Sequence, residues 1–442
     1  MQIKNIKSAI ITLLFGLTLF SSCFAEGGIG VATDGGLQVG NPKTDPYWFN
    51  VSGVLKVDER IFTGDTATTP SGVGKLGTYI SSTFIRDLGL TFEGGIGQDF
   101  SYTLAFDFDT DEKRVAIDYA YLTYYGLNYL LPNLSFSVGQ VVPGFCLTCA
   151  ASSKWIPFME RSMGTTVFGP KQGIGANANT FDDHYSATIA VTQQPQAGGR
   201  IFNVGGTPII THDLWQASGR FTWAPVSQIG KVLQLGLSAH IQEYANTGLQ
   251  FRANPEMKSR DTVTLLNTTN YNSASGAGFP FYPQTRICAL NQKTIDFEVL
   301  GVYGPWSGEV EVQRAYITRG TLSSGVKQGK NLQFSGYHAQ ASYILTGETR
   351  PLKKANGTLG QIKPIHKYGA FEVSARYSFI GLNDQDITGG RANNTTGSVG
   401  WYINNNIKLI AEYVYSLQRR QFPTYEDRRH VGGMGARMQL IF

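Results

Sequence analysis

Apolar and polar residues alternate with a period of two along most of this chain. That period sends successive side chains to opposite faces and marks half-buried β-strands. The C-terminal stretch shows it most clearly. Met434, Ala436, Met438, Leu440 and Phe442 share one parity, while Gly433, Gly435, Arg437 and Gln439 hold the other. Phe100, Tyr102, Leu104, Phe106 and Phe108 oppose Ser101, Thr103, Asp107 and Asp109. Val115, Ile117, Tyr119 and Tyr121 oppose Ala116, Asp118 and Ala120. Phe371, Val373, Ala375 and Tyr377 oppose Glu372, Ser374, Arg376 and Ser378. Counted this way, the chain holds about sixteen strands, or eighteen if another pair lies within 245–292.

The connections alternate in length. Short turns are predicted at 94–99, 181–183, 224–230, 304–306 and 404–406, with long loops at 62–77, 142–171, 193–212 and 245–292. Short turns at one end and long loops at the other are the pattern of a membrane barrel. One connection, 347–367, is long where a short turn is expected. The final strand ends on an aromatic, Phe442, as suits a strand that must pair with the first to abolish the edge. The predicted class is therefore all-β, a transmembrane antiparallel β-barrel over 48–442. Its apolar parity faces lipid and its polar parity faces a water-filled lumen. Tyr119, Tyr121, Tyr125, Trp215, Trp223, Trp401, Tyr413 and Tyr415 are expected in the interfacial girdles.

Residues 1–25 read as a cleaved secretory signal, with Lys4 and Lys7 before the apolar run Ala9–Phe20 and Cys23-Phe24-Ala25 before the cut. Residues 26–47 then lead into the barrel. The remaining chain has no apolar run long enough for a membrane helix. Removing Lys4 and Lys7 takes the 37 basic residues to 35 against 32 acidic ones, too even a balance for a nucleic-acid partner. Cys146-Leu147-Thr148-Cys149 lacks the βαβ context of a redox motif and the further ligands of a zinc site. A structural loop disulfide or no role remains, with Cys288 as the odd cysteine. The six histidines are scattered, and no nucleophile elbow or phosphate loop is present. No catalytic residue, metal or cofactor is expected.

Several segments resemble the phosphate-selective porin O/P family of bacterial outer-membrane porins. They are Phe158-Met159-Glu160-Arg161-Ser162, Gly219-Arg220-Phe221-Thr222-Trp223-Ala224-Pro225, Leu345-Thr346-Gly347-Glu348-Thr349-Arg350, Phe371 to Ser378, and Gly397 to Asn404 with Ile407-Lys408-Leu409. The resemblance covers most of 50–442. The resemblance implies an outer-membrane barrel of sixteen strands, a homotrimer, with a third loop folded into the pore. It also implies passive, energy-independent diffusion of small hydrophilic solutes or ions. Outer-membrane lipids are expected partners. So is the barrel assembly machinery, for which Phe442 is the C-terminal signal.

Residues 142–171 match that third loop and carry Lys154, Glu160, Arg161 and Lys171 as candidate constriction residues. Arg161 is the leading one, the alternative being a salt bridge to Glu160 or a wall acid. Strand parity places Lys56, Arg220, Arg376, Lys408 and Arg437 inward. It also places Asp58, Asp107, Asp118, Asp296, Glu298, Glu309, Glu311, Glu372 and Glu412 inward. Phosphate selection needs several charge-assisted donors. Acids outnumber bases on these walls, so anion or phosphate selection and cation preference both stay open. Two other functions are carried: a barrel serving mainly as adhesin or antigen through 245–292, and an outer-membrane barrel enzyme.

Overall fold

In the computed structural model the strands expose apolar residues and bury polar ones. Ile189 is 66% exposed and Phe297 48%, whereas Asp296 is 0% and Glu298 1% exposed. A water-soluble sandwich would show the reverse, so the exposed face meets lipid and the polar face turns inward. The structure describes residues 29–31, 36–42, 44–64, 80–109, 114–193, 202–204, 207–209, 214–258, 266–268, 270–271, 284–285, 287–321, 329–421 and 426–442. The signal reading at 1–25 and the tip aromatics Phe279, Phe281 and Tyr282 lie outside them.

Sixteen antiparallel strands close into a barrel, with two short strands outside it. They are β1 (Tyr47–Gly64), β2 (Ser82–Ile96), β3 (Phe100–Asp109), β4 (Arg114–Tyr124), β5 (Ser135–Val141), β6 (Gly173–Phe181), β7 (Tyr185–Gln193) and β8 (Trp215–Gln228). Then follow β9 (Lys231–Leu249), β10 (Ile287–Tyr303), β11 (Trp306–Arg319), β12 (Leu332–Ile344), β13 (Ala370–Asp384), β14 (Ile387–Tyr402), β15 (Ile407–Gln421) and β16 (Glu426–Ile441). The eighteen-strand alternative is not what forms. β9 and β10 instead run into the predicted 245–292 loop from both sides. The turn predicted at 224–230 shrinks to Ile229 and Gly230, because β8 continues past a bulge between Trp223 and Val226.

Closure is made by β16 on β1, from Val431 opposite Gly64 to Ile441 opposite Val54. The last residue completes the seam: the Gly53 amide donates to Phe442 O at 2.6 Å, and the Phe442 amide donates to Gly53 O at 3.2 Å. Below this point Leu37–Val39 takes the same edge of β1, pairing with Phe49–Val51. The Phe442 ring lies over Gly53, where a Cβ would come within 2.4 Å of it. Gly53→Val should therefore displace the ring and cost about 1–3 kcal/mol, as overpacking does. A heat-denaturation midpoint equal to wild type would refute that role for the seam.

Two bulges change which side chains face inward. In β2, Lys56 opposes Asp87 and Val57 opposes Ile85, so Arg86 is the extra residue. In β4, Ala105 opposes Tyr119 and Phe106 opposes Ile117, so Asp118 is the extra one. A bulge shifts the parity of its strand. Val115, Ile117 and Leu122 are the exposed apolar residues of β4. Tyr119 instead meets Gln172, and Tyr121 meets Thr103 across the lumen face. The girdle expectation therefore fails for Tyr119 and Tyr121. Tyr125, Trp215, Trp223, Trp401, Tyr413 and Tyr415 are exposed as expected.

Candidate functional site: a clamped loop across the lumen

The third loop, 142–172, crosses the barrel interior between β5 and β6. Its helix α1 (Leu147–Ala150) is bracketed by a Cys146–Cys149 disulfide, with the Cys149 amide donating to Cys146 Sγ. Its second helix, α2 (Met163–Phe168), ends at Gly169. Phe145, Phe158, Met159, Met163 and Phe168 are all buried. Phe168 packs edge-on against Phe251, which packs edge-on against Phe334. The loop thus shares an apolar core with the chain after β9 and with the wall strands β11–β14. Burial of this apolar surface brings the loop inward.

A buried loop must also find partners for its backbone carbonyls. The wall supplies them almost residue by residue. Gln439 donates to Lys154 O at 3.0 Å, Arg350 to Trp155 O at 2.6 Å and Lys408 to Ile156 O at 2.9 Å. Ser398 donates to Pro157 O at 3.1 Å, Arg437 to Met159 O at 2.6 Å and Arg376 to Glu160 O at 3.0 Å. Glu412 accepts from the Met159 amide at 2.8 Å.

The expected lumen charges are therefore placed inward but beneath the loop. Arg437 also grips Asp58 with two bonds, at 2.6 and 2.7 Å. Arg376 pairs with Glu256, which comes from the chain after β9, and lies over the Phe158 ring. Lys56 is shared between Asp87 and Ser153. Glu372 holds Arg350 and the Tyr402 hydroxyl. Arg220 joins Glu298 and donates to the carbonyls of Asn356 and Gly357.

Those last carbonyls belong to the long 347–367 connection. It turns into the lumen as a small hairpin, Leu352–Lys353 on Thr358–Leu359. Gly357 has φ of 55°, and a Cβ there would sit 2.8 Å from Thr222 Oγ1. Glycine is required at such a close approach. The hairpin reaches the third loop from below, with the Lys353 ammonium over the Trp155 ring.

Partly exposed charges lie where the loop faces the β2–β4 wall. Arg86 grips Glu160 at 2.7 and 2.9 Å. Asp87 stands beside it, its side chain 26% exposed. Asp118 accepts from Gln172 at 2.6 Å. Arg161 donates through Nε to Thr148 O at 2.9 Å and through Nη2 to Ala151 O at 2.8 Å. It therefore does not pair with Glu160, whose partners are Arg86 and Arg437. Burial alone would raise the Glu160 carboxyl, but Arg86 and Arg437 hold it well below the usual range. Lys171 is exposed, and its carbonyl accepts from Gln216. Lys154 is half-buried at the far end of the clamped run.

Sequence reasoning missed Arg86, Glu256 and Arg350 as parts of this site. Arg86 owes its direction to a bulge, which no periodicity displays. The unexpected length of 347–367 and the family-like segment Leu345 to Arg350 were the signals that could have pointed to Arg350.

The profile described as phosphate-selective porin O and P matches residues 63–442. Porin O of Pseudomonas aeruginosa is 28% identical over 410 residues, covering 87% of this chain and 86% of that protein. An anion-selective porin from Comamonas acidovorans superposes with a TM-score of 0.53 at 11% identity, over 90% of this chain and 100% of that one. OmpT, an outer membrane protein of Vibrio cholerae solved in a trimer form, gives 0.55 at 8% identity, over 90% of this chain and 100% of that one.

Proposed function

The chain belongs to the phosphate-selective porin O and P family, and from that membership we propose how its pore treats solutes. It is an outer-membrane porin for passive diffusion of small hydrophilic solutes. In our reading, solutes enter between the outer loops, pass between the third loop and the β2–β4 wall, and leave beside the periplasmic turns. The proposed constriction combines Arg161, Arg86 and Lys171 with Asp87, Asp118 and Glu160.

We read the pore as weakly anion-preferring. One observation carries this: Arg161 is held by two carbonyls and forms no ion pair, so the nearby Glu160, Asp87 and Asp118 only partly offset its charge, whereas Glu160 is gripped by Arg86 and also touched by Arg437. Fixed charge at a narrow point sets ion preference. The surplus of wall acids argues less for cations than composition suggests, because Asp58, Glu298, Glu372 and Glu412 face basic partners. A tight phosphate site would need more donors than Arg161 and Arg86 offer. The phosphate-selective description of the family and the anion-selective neighbour support the same direction. The trimer form of the Vibrio cholerae neighbour supports a homotrimer, and the N-terminal pattern supports a cleaved signal at 1–25.

The test is the reversal potential of the purified protein in planar bilayers under a KCl gradient, repeated with phosphate. We expect mild anion preference, with phosphate reducing chloride current only at concentrations on the order of 1 mM or above. Cation preference would overturn the reading. Block at micromolar phosphate would restore a tight phosphate site.

A further inference from the structure

Three arginines stand side by side on the lipid-facing surface near the loop end of the barrel. Arg391 on β14 lies directly opposite Arg419 on β15, and Arg419 lies directly opposite Arg428 on β16. All three are exposed. They occupy the outward parity: Val399 and Trp401 share it on β14, Tyr413 and Tyr415 on β15, and Met434 on β16. The row therefore sits outside the pore, on the surface that carries the apolar belt.

Like charges placed opposite one another across strands repel. Neighbouring strands are about 4.8 Å apart, so this row spans only about 10 Å. Among the described residues one acid answers it: Glu426, which accepts from Arg428 Nε at 2.8 Å and feels the fields of Arg419 and Arg391. Three cations against one anion leave an excess of positive charge at one spot. Below the row, Tyr415 shares a hydrogen bond with His430 at 2.9 Å. Arg419 lies four residues beyond Tyr415, about 13 Å along an extended strand. Tyrosines mark the membrane interface, so the arginines stand at or just above headgroup level.

We propose that Arg391, Arg419 and Arg428 form a binding site for the phosphate groups of a phosphorylated glycolipid in the outer leaflet. Guanidinium forks match phosphate oxygens in bidentate pairs, and a multiply phosphorylated headgroup neutralises several at once. The outward direction of the row favours a lipid over a free anion bound for the pore. The bound lipid would relieve the cross-strand repulsion and fasten the closing strands to their membrane. The inference rests on the outer-membrane reading and goes beyond it, because none of these residues lies in the lumen.

The experiment compares wild type with two triple variants, Arg391→Gln/Arg419→Gln/Arg428→Gln and the corresponding three Arg→Lys changes. Detergent-purified barrels are incubated with rough lipopolysaccharide, and bound lipid per barrel is measured after gel filtration. With three arginines lost beside an anionic surface, the glutamine variant should bind at least about tenfold less. The lysine variant should fall between the two. Dephosphorylated lipopolysaccharide should bind wild type no better than the glutamine variant binds the intact lipid. Equal binding by wild type and the glutamine variant would overturn the site. Displacement of the lipid by equimolar inorganic phosphate would overturn the lipid assignment in favour of a free anion. Single-channel conductance of the same preparations tests the porin reading separately: it should be unchanged in both variants, and its absence from wild type would count against that reading alone.

Discussion

Arg437→Gln should widen the pore and weaken the barrel together. The guanidinium ties three parts of the molecule: Asp58 on β1, the Met159 carbonyl on the third loop, and Glu160 beside the opening. Asp58 is fully buried. Removing the partner of a buried carboxylate costs about 3–5 kcal/mol, far more than an exposed pair would. Met159 O loses its donor in the same change, at a further cost of about 1–3 kcal/mol. The loop stays tied at Trp155 and Ile156 through Arg350 and Lys408, so it should loosen at the Met159–Glu160 end, not leave the lumen. Single-channel conductance should therefore rise and become noisier, and the heat-denaturation midpoint should fall. Arg437→Lys should rescue little, because an ammonium cannot make the two-pronged bond to Asp58. Wild-type conductance together with wild-type heat stability in Arg437→Gln would show that this residue does not brace the loop.

Arg161→Gln should act differently, altering selectivity with little effect on stability. Its two hydrogen bonds go to neutral carbonyls within its own loop, so its loss strands no buried acid. A unit charge about 4 Å from a passing ion is worth about 1 kcal/mol even at the dielectric constant of water. Because it acts with opposite sign on anions and cations, that energy corresponds to a drop of up to roughly thirtyfold in the anion-to-cation permeability ratio, less where salt screens it. Reversal potentials under a KCl gradient read this directly, and an unchanged ratio would remove Arg161 from the constriction. Mild acid should not mask the effect through Glu160. Its carboxyl titrates below the usual range when folded, so the stabilisation from its ion pairs is fully present above the ordinary carboxylate range. That contribution is lost only as pH falls through the depressed value.

The barrel was legible because its signal is repetitive. A period of two does not depend on distant contacts, and the register of paired strands follows from which parity is apolar. Phe371 to Ser378 and Met434 to Phe442 show it without ambiguity. The candidate site was legible in direction but not in use. Parity correctly turns Arg376, Lys408 and Arg437 inward, yet it cannot say whether an inward base meets water or a loop carbonyl. The reading of Tyr119 and Tyr121 as girdle residues failed for a local reason: Asp118 is an extra residue in β4, and everything after it on that strand changes face. The Arg161 alternatives likewise needed coordinates, since a salt bridge to Glu160 and a pair of carbonyl bonds look alike in sequence.

Amino-acid order by itself determined the class of fold, the outward face and the closing role of the terminal strand, and it narrowed the strand number to sixteen or eighteen. Each of these depends on alternation within a strand or on the edge that an open sheet would leave. Only the tertiary structure decided which charges remain in the pore. That outcome depends on groups hundreds of residues apart, such as Asp58 with Arg437 or Trp155 with Arg350. A buried loop backbone must be hydrogen-bonded wherever it lies, so it draws the wall bases to itself.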